Sequence, residues 1–277
     1  MKILLVGFGD IARRLAPRLV AAGCEISALR RSSGLESGVR MVQGDCRDET
    51  LLAEAVAGQE VVVVTLTPDA FNEPSYREAY EAGAQTLARV LVDTPEPPRR
   101  VLWVSSTSVY GESDGGWVDE TTPAVPQGFS GRSLLAAERI MHGQQVPTTV
   151  VRFSGIYGPG RTRLISQVRG GHCAPQWPQQ WSNRIHSEDC AGVLHHLIQC
   201  HRAGEELAPL YIGTDCEPVP LYELHQWLAQ RMAVAVTESS ETAMRANRRC
   251  SNKRLLASGY RFLYPTWREG YAALLAE

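Results

Sequence analysis

Apolar positions along this chain follow two alternating rhythms. Short unbroken apolar runs read as strands buried on both faces, and between them apolar residues recur at helical spacing. The strand candidates are Lys2–Gly7, Glu25–Leu29, Arg40–Gln43, Glu60–Leu66, Arg100–Ser105 and Thr148–Phe153. Helical patterns occupy Ile11–Ala22, Glu49–Ala57, Tyr76–Val92 and Arg132–Met141. Strand and helix in turn predict an α/β fold, a doubly wound parallel sheet with helices on both faces. Pro17 lies past the first turn of the first helix, where it removes a hydrogen bond and crowds the carbonyl of Arg13, so a kink or an early end is expected. The proline-rich stretch Thr94–Pro98 reads as a surface loop. The later part is less regular: Ser187–Cys200 and Leu221–Met232 read as helices, Leu210–Gly213 as a strand, and Asn252–Ala257 and Thr266–Leu275 close the chain.

The first loop carries the strongest chemical signal. The strand Lys2–Gly7 runs into Gly7-Phe8-Gly9-Asp10-Ile11, and a helical apolar face follows at Ile11, Ala12, Leu15, Ala16 and Leu19. Strand, glycine turn and helix form the context of a dinucleotide-binding turn. Gly7 permits the tight turn, Gly9 lets the backbone approach a pyrophosphate, and Ala12 stands where a third glycine would let helix and strand pack closely. The first N–H groups of the helix then point at phosphates. Asp10 opposes an incoming phosphate. It reads equally as a helix N-cap, with a guanidinium such as Arg13 expected to offset its charge.

Two further segments bear on the nucleotide. Arg30-Arg31-Ser32-Ser33 follows the second strand, whose end faces the adenosine ribose in this architecture. Two guanidinium groups and two hydroxyls suit a 2′-phosphate, which favours NADP(H) over NAD(H). Asp45, in Gly44-Asp45-Cys46-Arg47-Asp48 after the third strand, can accept from an adenine amino group or cap the next helix; Asp48 reads as a cap alone.

Composition narrows the class. The chain has 277 residues, 44% hydrophobic and 21% charged, with a formal net charge of −2. An evenly spread, slightly acidic balance offers no field to gather nucleic acid, and no apolar run reaches the roughly 20 residues that span a bilayer. The seven cysteines include no CxxC pair, which argues against a zinc site or disulfide frame, and no metal ligand set is expected. With no signal-peptide pattern before the first strand, the expected location is cytoplasmic.

Three more stretches carry a family resemblance: Ser105-Ser106-Thr107-Ser108-Val109-Tyr110-Gly111, Ser130-Gly131-Arg132-Ser133-Leu134-Leu135-Ala136-Ala137-Glu138, and Val151-Arg152-Phe153-Ser154-Gly155-Ile156-Tyr157-Gly158-Pro159-Gly160. With Arg184-Ile185-His186-Ser187-Glu188-Asp189 they resemble the extended short-chain dehydrogenase/reductase family of NAD(P)-dependent epimerases and dehydratases, and are most similar to its atypical, YeeZ-like group. The resemblance implies a Rossmann domain over residues 1–160. A smaller region, 161–277, then packs on the carboxyl edge of the sheet and closes a cleft there without being an independent domain. It also implies cofactor contacts at Leu66, Ser105, Phe153, Gly155 and Ile156, beside those of the glycine turn. Ser106 matches the residue that orients a substrate oxygen, and Thr107 is the second choice. Arg152, Arg161 and Arg184, together with Arg163, are implied to line a cleft for an anionic or sugar-like small molecule.

The resemblance breaks at one place. Active members carry Tyr-x-x-x-Lys at the start of the helix, where the tyrosine moves the substrate proton and the lysine lowers its pKa. The matching positions here are Ser130 and Leu134, which can do neither. Three functions stay open: an oxidoreductase or epimerase working by a non-standard mechanism, a non-catalytic NADP(H) or metabolite sensor, and a scaffold without ligand. Tyr110, His186 and Asp189 are implied to be structural. Family members often form homodimers through the two long helices, here Tyr76–Val92 and Arg132–Met141, where Ala79, Ala82, Gly83, Ala136 and Ala137 would allow close approach.

Overall fold

The computed structural model describes residues 1–238 and 246–276. Its centre is a seven-stranded parallel sheet flanked by helices. The strands are β1 (Lys2–Val6), β2 (Glu25–Arg30), β3 (Val39–Gln43), β4 (Val61–Val64), β5 (Arg100–Ser106), β6 (Thr148–Phe153) and β7 (Leu210–Gly213), in the spatial order β7-β6-β5-β4-β1-β2-β3. The chain therefore reverses direction of growth between β1 and β4, and such a switch point is where doubly wound sheets open a crevice for ligands. Registers pair Ile3 with Ile26 on one side and with Val61 on the other. All four residues of β4, an unbroken apolar run, are buried. All six of β6 are buried as well, although they include Thr148, Thr149 and Arg152.

Two compact units divide the chain. The first comprises Met1–Val109, Ala124–Arg152 and Ala191–Tyr211; the second comprises Tyr110–Pro123, Phe153–Cys190 and Ile212–Glu277. In the first unit, α1 (Asp10–Ala21) lays Ile11, Ala12, Leu15, Ala16 and Leu19 inward. The helix spans the expected Ile11–Ala22 range to within one residue at each end, and of the two outcomes expected at Pro17 the early end does not occur: α1 continues through it to Ala21. Proline in a helix interior costs about 3 kcal/mol, and the fully buried Leu15, Ala16 and Leu19 on either side of it supply apolar burial of at least that size. The side chain of Asp48 caps α2 (Glu49–Val56) by accepting from the Leu51 N–H.

The helix expected from Tyr76 begins earlier. Asn72 caps α3 (Glu73–Tyr76), a π-helical segment Arg77–Ala82 follows, and α4 (Gly83–Asp93) completes the run. Likewise α5 (Phe129–His142) starts three residues before the expected Arg132. Gly131 is what lets it dock: a Cβ there would stand 2.4 Å from the carbonyl oxygen of Ser108. Of the small residues expected at a dimer face, Gly83 and Ala137 are buried within the chain. Gly83 faces Leu66, and Ala137 belongs to the core with Trp103 and Met141.

The second unit is built from short pieces. Gly155–Tyr157 pairs in parallel with Arg184–His186, and Trp181–Ser182 pairs antiparallel with Val219–Pro220. Helices Arg163–Arg169, Leu221–Met232, Lys253–Ala257 and Trp267–Ala276 complete it. Tyr157, Ile165, Leu224, Leu228, Trp267 and Tyr271 share its core.

Candidate nucleotide site

At the switch point the first unit holds a cavity of about 630 Å³. This lies within the range of small-molecule and cofactor sites. Its floor is the turn after β1. Gly7 has φ +84°, a conformation L side chains rarely adopt, and a Cβ on it would meet the Thr65 carbonyl oxygen at 3.0 Å. The turn is pinned from both neighbouring strands: the Gly7 N–H donates to the Leu29 carbonyl at 2.9 Å, and the Thr65 hydroxyl donates to the Gly7 carbonyl at 2.8 Å. A Cβ on Gly9 would meet nothing within 4 Å, so the backbone there faces open space. Gly9 is also the N-cap of α1 and supplies no side-chain cap. The fixed glycine backbone and this helix end together form a cradle suited to an anion.

Asp10 is therefore not the cap. It is the first helical residue, and its Oδ1 lies 2.8 Å from Nε of Arg14, one turn on. The offsetting guanidinium comes from Arg14, four residues on along the same helix face, rather than from Arg13.

Gly7, Phe8, Gly9, Arg30, Arg31, Ser32, Asp45 and Leu66, all expected at the site, line the cavity together. The Arg30 guanidinium donates to the Ser32 hydroxyl from Nε at 3.0 Å and from Nη2. Arg31 reaches Asp69 with both terminal nitrogens. Arg47 holds Asp45 through its own N–H and Nε, each 2.9 Å from Oδ1, and through Nη2, 2.6 Å from Oδ2. Those bonds bring the Asp45 carboxyl down to about 2, so it is an acceptor at any physiological pH. Arg47 also binds Glu78. Burial pushes the Cys46 thiol beside them up to about 11, which makes it an inert neutral group.

Asp10 and Ile11 do not line the cavity; Ile11 points into the core and is 6% exposed. Ser105 is buried too, and its hydroxyl donates to Glu138 at 2.5 Å. The Ser106 hydroxyl accepts from the Ser108 N–H at 3.1 Å, and Thr107 is buried in the turn Thr107–Val109. Arg152, expected to meet an anionic ligand, is instead 6% exposed and bound to Glu138 through Nε (3.0 Å to Oε1) and Nη2 (2.5 Å to Oε2). Its guanidinium is occupied inside the first unit.

The remaining expected residues belong to the second unit. Phe153 is buried against Gly213, while Gly155 and Ile156 lie in the strand Gly155–Tyr157. Arg184 donates to the Ser182 hydroxyl at 2.7 Å, and Arg161 is exposed. Tyr110 donates to the Asp119 carbonyl at 2.8 Å. The buried Asp189 accepts from the Tyr260 hydroxyl and from the N–H groups of Leu263 and Tyr264, which makes it an anchor for that loop. His186 accepts from the Glu188 N–H and packs on Tyr157 and Tyr264. No group of residues able to hold a metal ion occurs among the described residues, and no disulfide joins the cysteines. No described helix is long and apolar enough to cross a membrane.

Sequence reasoning missed Thr65, Arg47, Asp69 and Glu78. Arg47 had a legible signal, a guanidinium two residues from Asp45. Asp69 and Glu78 had none, since they meet Arg31 and Arg47 across 38 and 31 residues of chain.

Known proteins share this architecture. The family model of the NAD dependent epimerase/dehydratase family matches residues 3–213. Protein YeeZ of Escherichia coli K12 is 30% identical over 215 residues, covering 73% of this chain and 75% of that one. A solved structure of an epimerase/dehydratase-type protein from Methylobacillus flagellatus is 39% identical, with a TM-score of 0.83 over 99% of this chain and 97% of its own. The human epimerase family protein SDR39U1, solved with NADPH, superposes with a TM-score of 0.81 over 100% of both chains. At 19% identity it shares the fold alone. On the strength of the matched model and the YeeZ relative, the chain belongs to the NAD-dependent epimerase/dehydratase family, with an NAD(P)-binding Rossmann-like fold.

Proposed function

We propose that this chain binds NADP(H) in the cavity of its first unit, in preference to NAD(H). The diphosphate lies on the turn Gly7–Gly9 at the end of α1, and the 2′-phosphate lies against Arg30, Arg31 and Ser32. The observation that carries the reading is the pairing of Arg30 with the Ser32 hydroxyl at the cavity edge. Arg30 makes no ion pair among the described residues, so its charge is available to a phosphate, and the hydroxyl beside it is a second donor. Asp10 does not oppose the diphosphate, because Arg14 neutralises it at 2.8 Å. Asp45 is ionised and suited to accept from the adenine amino group.

The bound dinucleotide supplies hydride exchange, and the reading assigns the chain to oxidoreductase or epimerase chemistry on a small anionic or sugar-like molecule. Ser106, with Thr107 beside it, is the group proposed to orient a substrate oxygen, and Arg161 and Arg184 to attract the anion. The proton chemistry is non-standard, since α5 carries Ser130 and a 3%-exposed Leu134 where the resemblance implies tyrosine and lysine.

A second reading, an NADP(H) sensor without turnover, is favoured by one observation. Tyr110, the phenol of the Ser105–Gly111 stretch that could replace the absent tyrosine, donates its hydroxyl to the Asp119 carbonyl. General acid–base help is worth about 10²–10⁴-fold in rate, so its loss leaves binding intact and catalysis slow.

Isothermal titration of the purified chain tests the cofactor assignment. NADPH is expected to bind more tightly than NADH, and Arg30→Ala to remove most of the difference. Tighter NADH binding in the unaltered protein overturns it.

A further inference from the structure

Asp69 stands in the loop after β4 and has no place in the scheme above. Its carboxylate faces Arg31 fork to fork, with Nη1 donating to Oδ2 at 2.6 Å and Nη2 to Oδ1. Both side chains line the cavity and are well exposed, 56% for Arg31 and 60% for Asp69. The pair joins two loops that are distant in sequence across the cavity edge.

The paired edge of a guanidinium is also the edge that recognises a phosphate. Arg31 cannot present that edge to Asp69 and to a 2′-phosphate at once. The charges around the cavity sharpen the conflict. Arg30, Arg31 and Arg47 face Asp45, Asp69 and Glu78, so the lining has no net positive charge to spare. Arg47 is shared between Asp45 and Glu78, and Arg31 is held by Asp69. The Arg31 guanidinium in turn keeps the Asp69 carboxyl below its usual range, so the competitor is ionised whenever the site is used.

We propose that Asp69 is a specificity-determining residue: it competes with the 2′-phosphate for Arg31 and thereby sets how strongly the site distinguishes NADPH from NADH. The inference rests on the reading that the adenosine ribose lies at Arg30–Ser32. The competition is mild. An exposed ion pair is weak, so a phosphate can displace it, and the carboxylate lowers affinity only by a small factor. NADH has no phosphate at that position and does not enter the competition.

Isothermal titration of NADPH and NADH into the unaltered chain, Asp69→Asn, Arg31→Ala and the double variant tests this. Asp69→Asn is close to isosteric at an exposed position, and a thermal melt checks that each variant is folded. Asp69→Asn is expected to raise the ratio of NADPH to NADH affinity about two- to fivefold. In the Arg31→Ala background the same substitution is expected to leave the ratio unchanged, because the contested partner is gone. An equal rise in both backgrounds makes Asp69 a general negative charge and overturns the inference, as does an unchanged ratio in Asp69→Asn alone. A preference for NADH in the unaltered chain overturns the cofactor reading without touching the inference if Asp69→Asn still shifts the ratio. Absence of binding by every protein overturns both.

Discussion

Replacing Arg152 with methionine tests whether that residue is a structural member of the interior rather than a ligand contact. The side chains of Arg152 and Glu138 are 7% and 2% exposed. Nε and Nη2 of the arginine lie 2.5–3.2 Å from the two carboxylate oxygens, and Ser105 adds a third donor. Methionine keeps the apolar stem and deletes the guanidinium, which leaves a buried carboxylate with one hydroxyl. Breaking a buried pair from one side costs about 3–5 kcal/mol. For a folded unit of this size each kcal/mol moves the melting temperature by about 2–4 °C, so the expected drop is about 6–20 °C. Removing both charges in Arg152→Met with Glu138→Leu is expected to recover most of the loss, because no uncompensated charge remains. Thermal melts followed by circular dichroism at pH 7 read all three proteins. A single variant melting within about 2 °C of the unaltered chain refutes the reasoning. So does a double variant no more stable than the single one, since the worth of Arg152 would then lie outside this pair.

Two further outcomes are expected. Gly7→Ala places a side chain at φ +84° with its Cβ 3.0 Å from the Thr65 carbonyl oxygen, so it should cost about 1–3 kcal/mol and weaken dinucleotide binding, measured by melt and titration; unchanged values in both would show that the turn tolerates a Cβ. Burial of Asp215 lifts its carboxyl to about 8, and its Oδ2 has no partner among the described residues. The unfolded chain releases that proton near pH 4 and the folded chain holds it to about pH 8, so this group's contribution to stability falls as pH rises through that window. Asp215→Asn removes the group, and its melting temperature should gain on the unaltered chain between pH 5 and pH 8.5; parallel curves would refute the assignment. Comparing the two proteins cancels His225, which burial pushes down to about 4 and which acts in the opposite sense.

The glycine turn, the six strand positions up to Phe153 and the capping role of Asp48 were legible because each depends on neighbours within a few residues. A period of apolar residues, a glycine between strand and helix, and an aspartate three residues before a backbone N–H are local facts. The apolar period alone began α5 late, at Arg132, while the family resemblance put its start at Ser130; the need for Gly131 was not legible, since it arises only because the carbonyl of Ser108 comes within 2.4 Å of where a Cβ would stand. The apolar period of α1 runs on past Pro17, but whether the proline would end the helix early was not legible, for the same kind of reason. Local propensity opposes continuation, and burial of Leu15, Ala16 and Leu19 against the sheet decides it.

The sequence by itself determined the order of strands and helices, the place of the glycine turn and the presence of basic residues after β2. Only the tertiary structure decided what those charges do. Arg152 turns inward to Glu138, Arg14 rather than Arg13 neutralises Asp10, and Arg31 is met by Asp69 from 38 residues away. Periodicity records which face of an element is buried, but the partner of a charge depends on which distant loop the folded sheet brings within about 3 Å of it, and hydrogen bonding falls off too steeply with distance for composition to specify that.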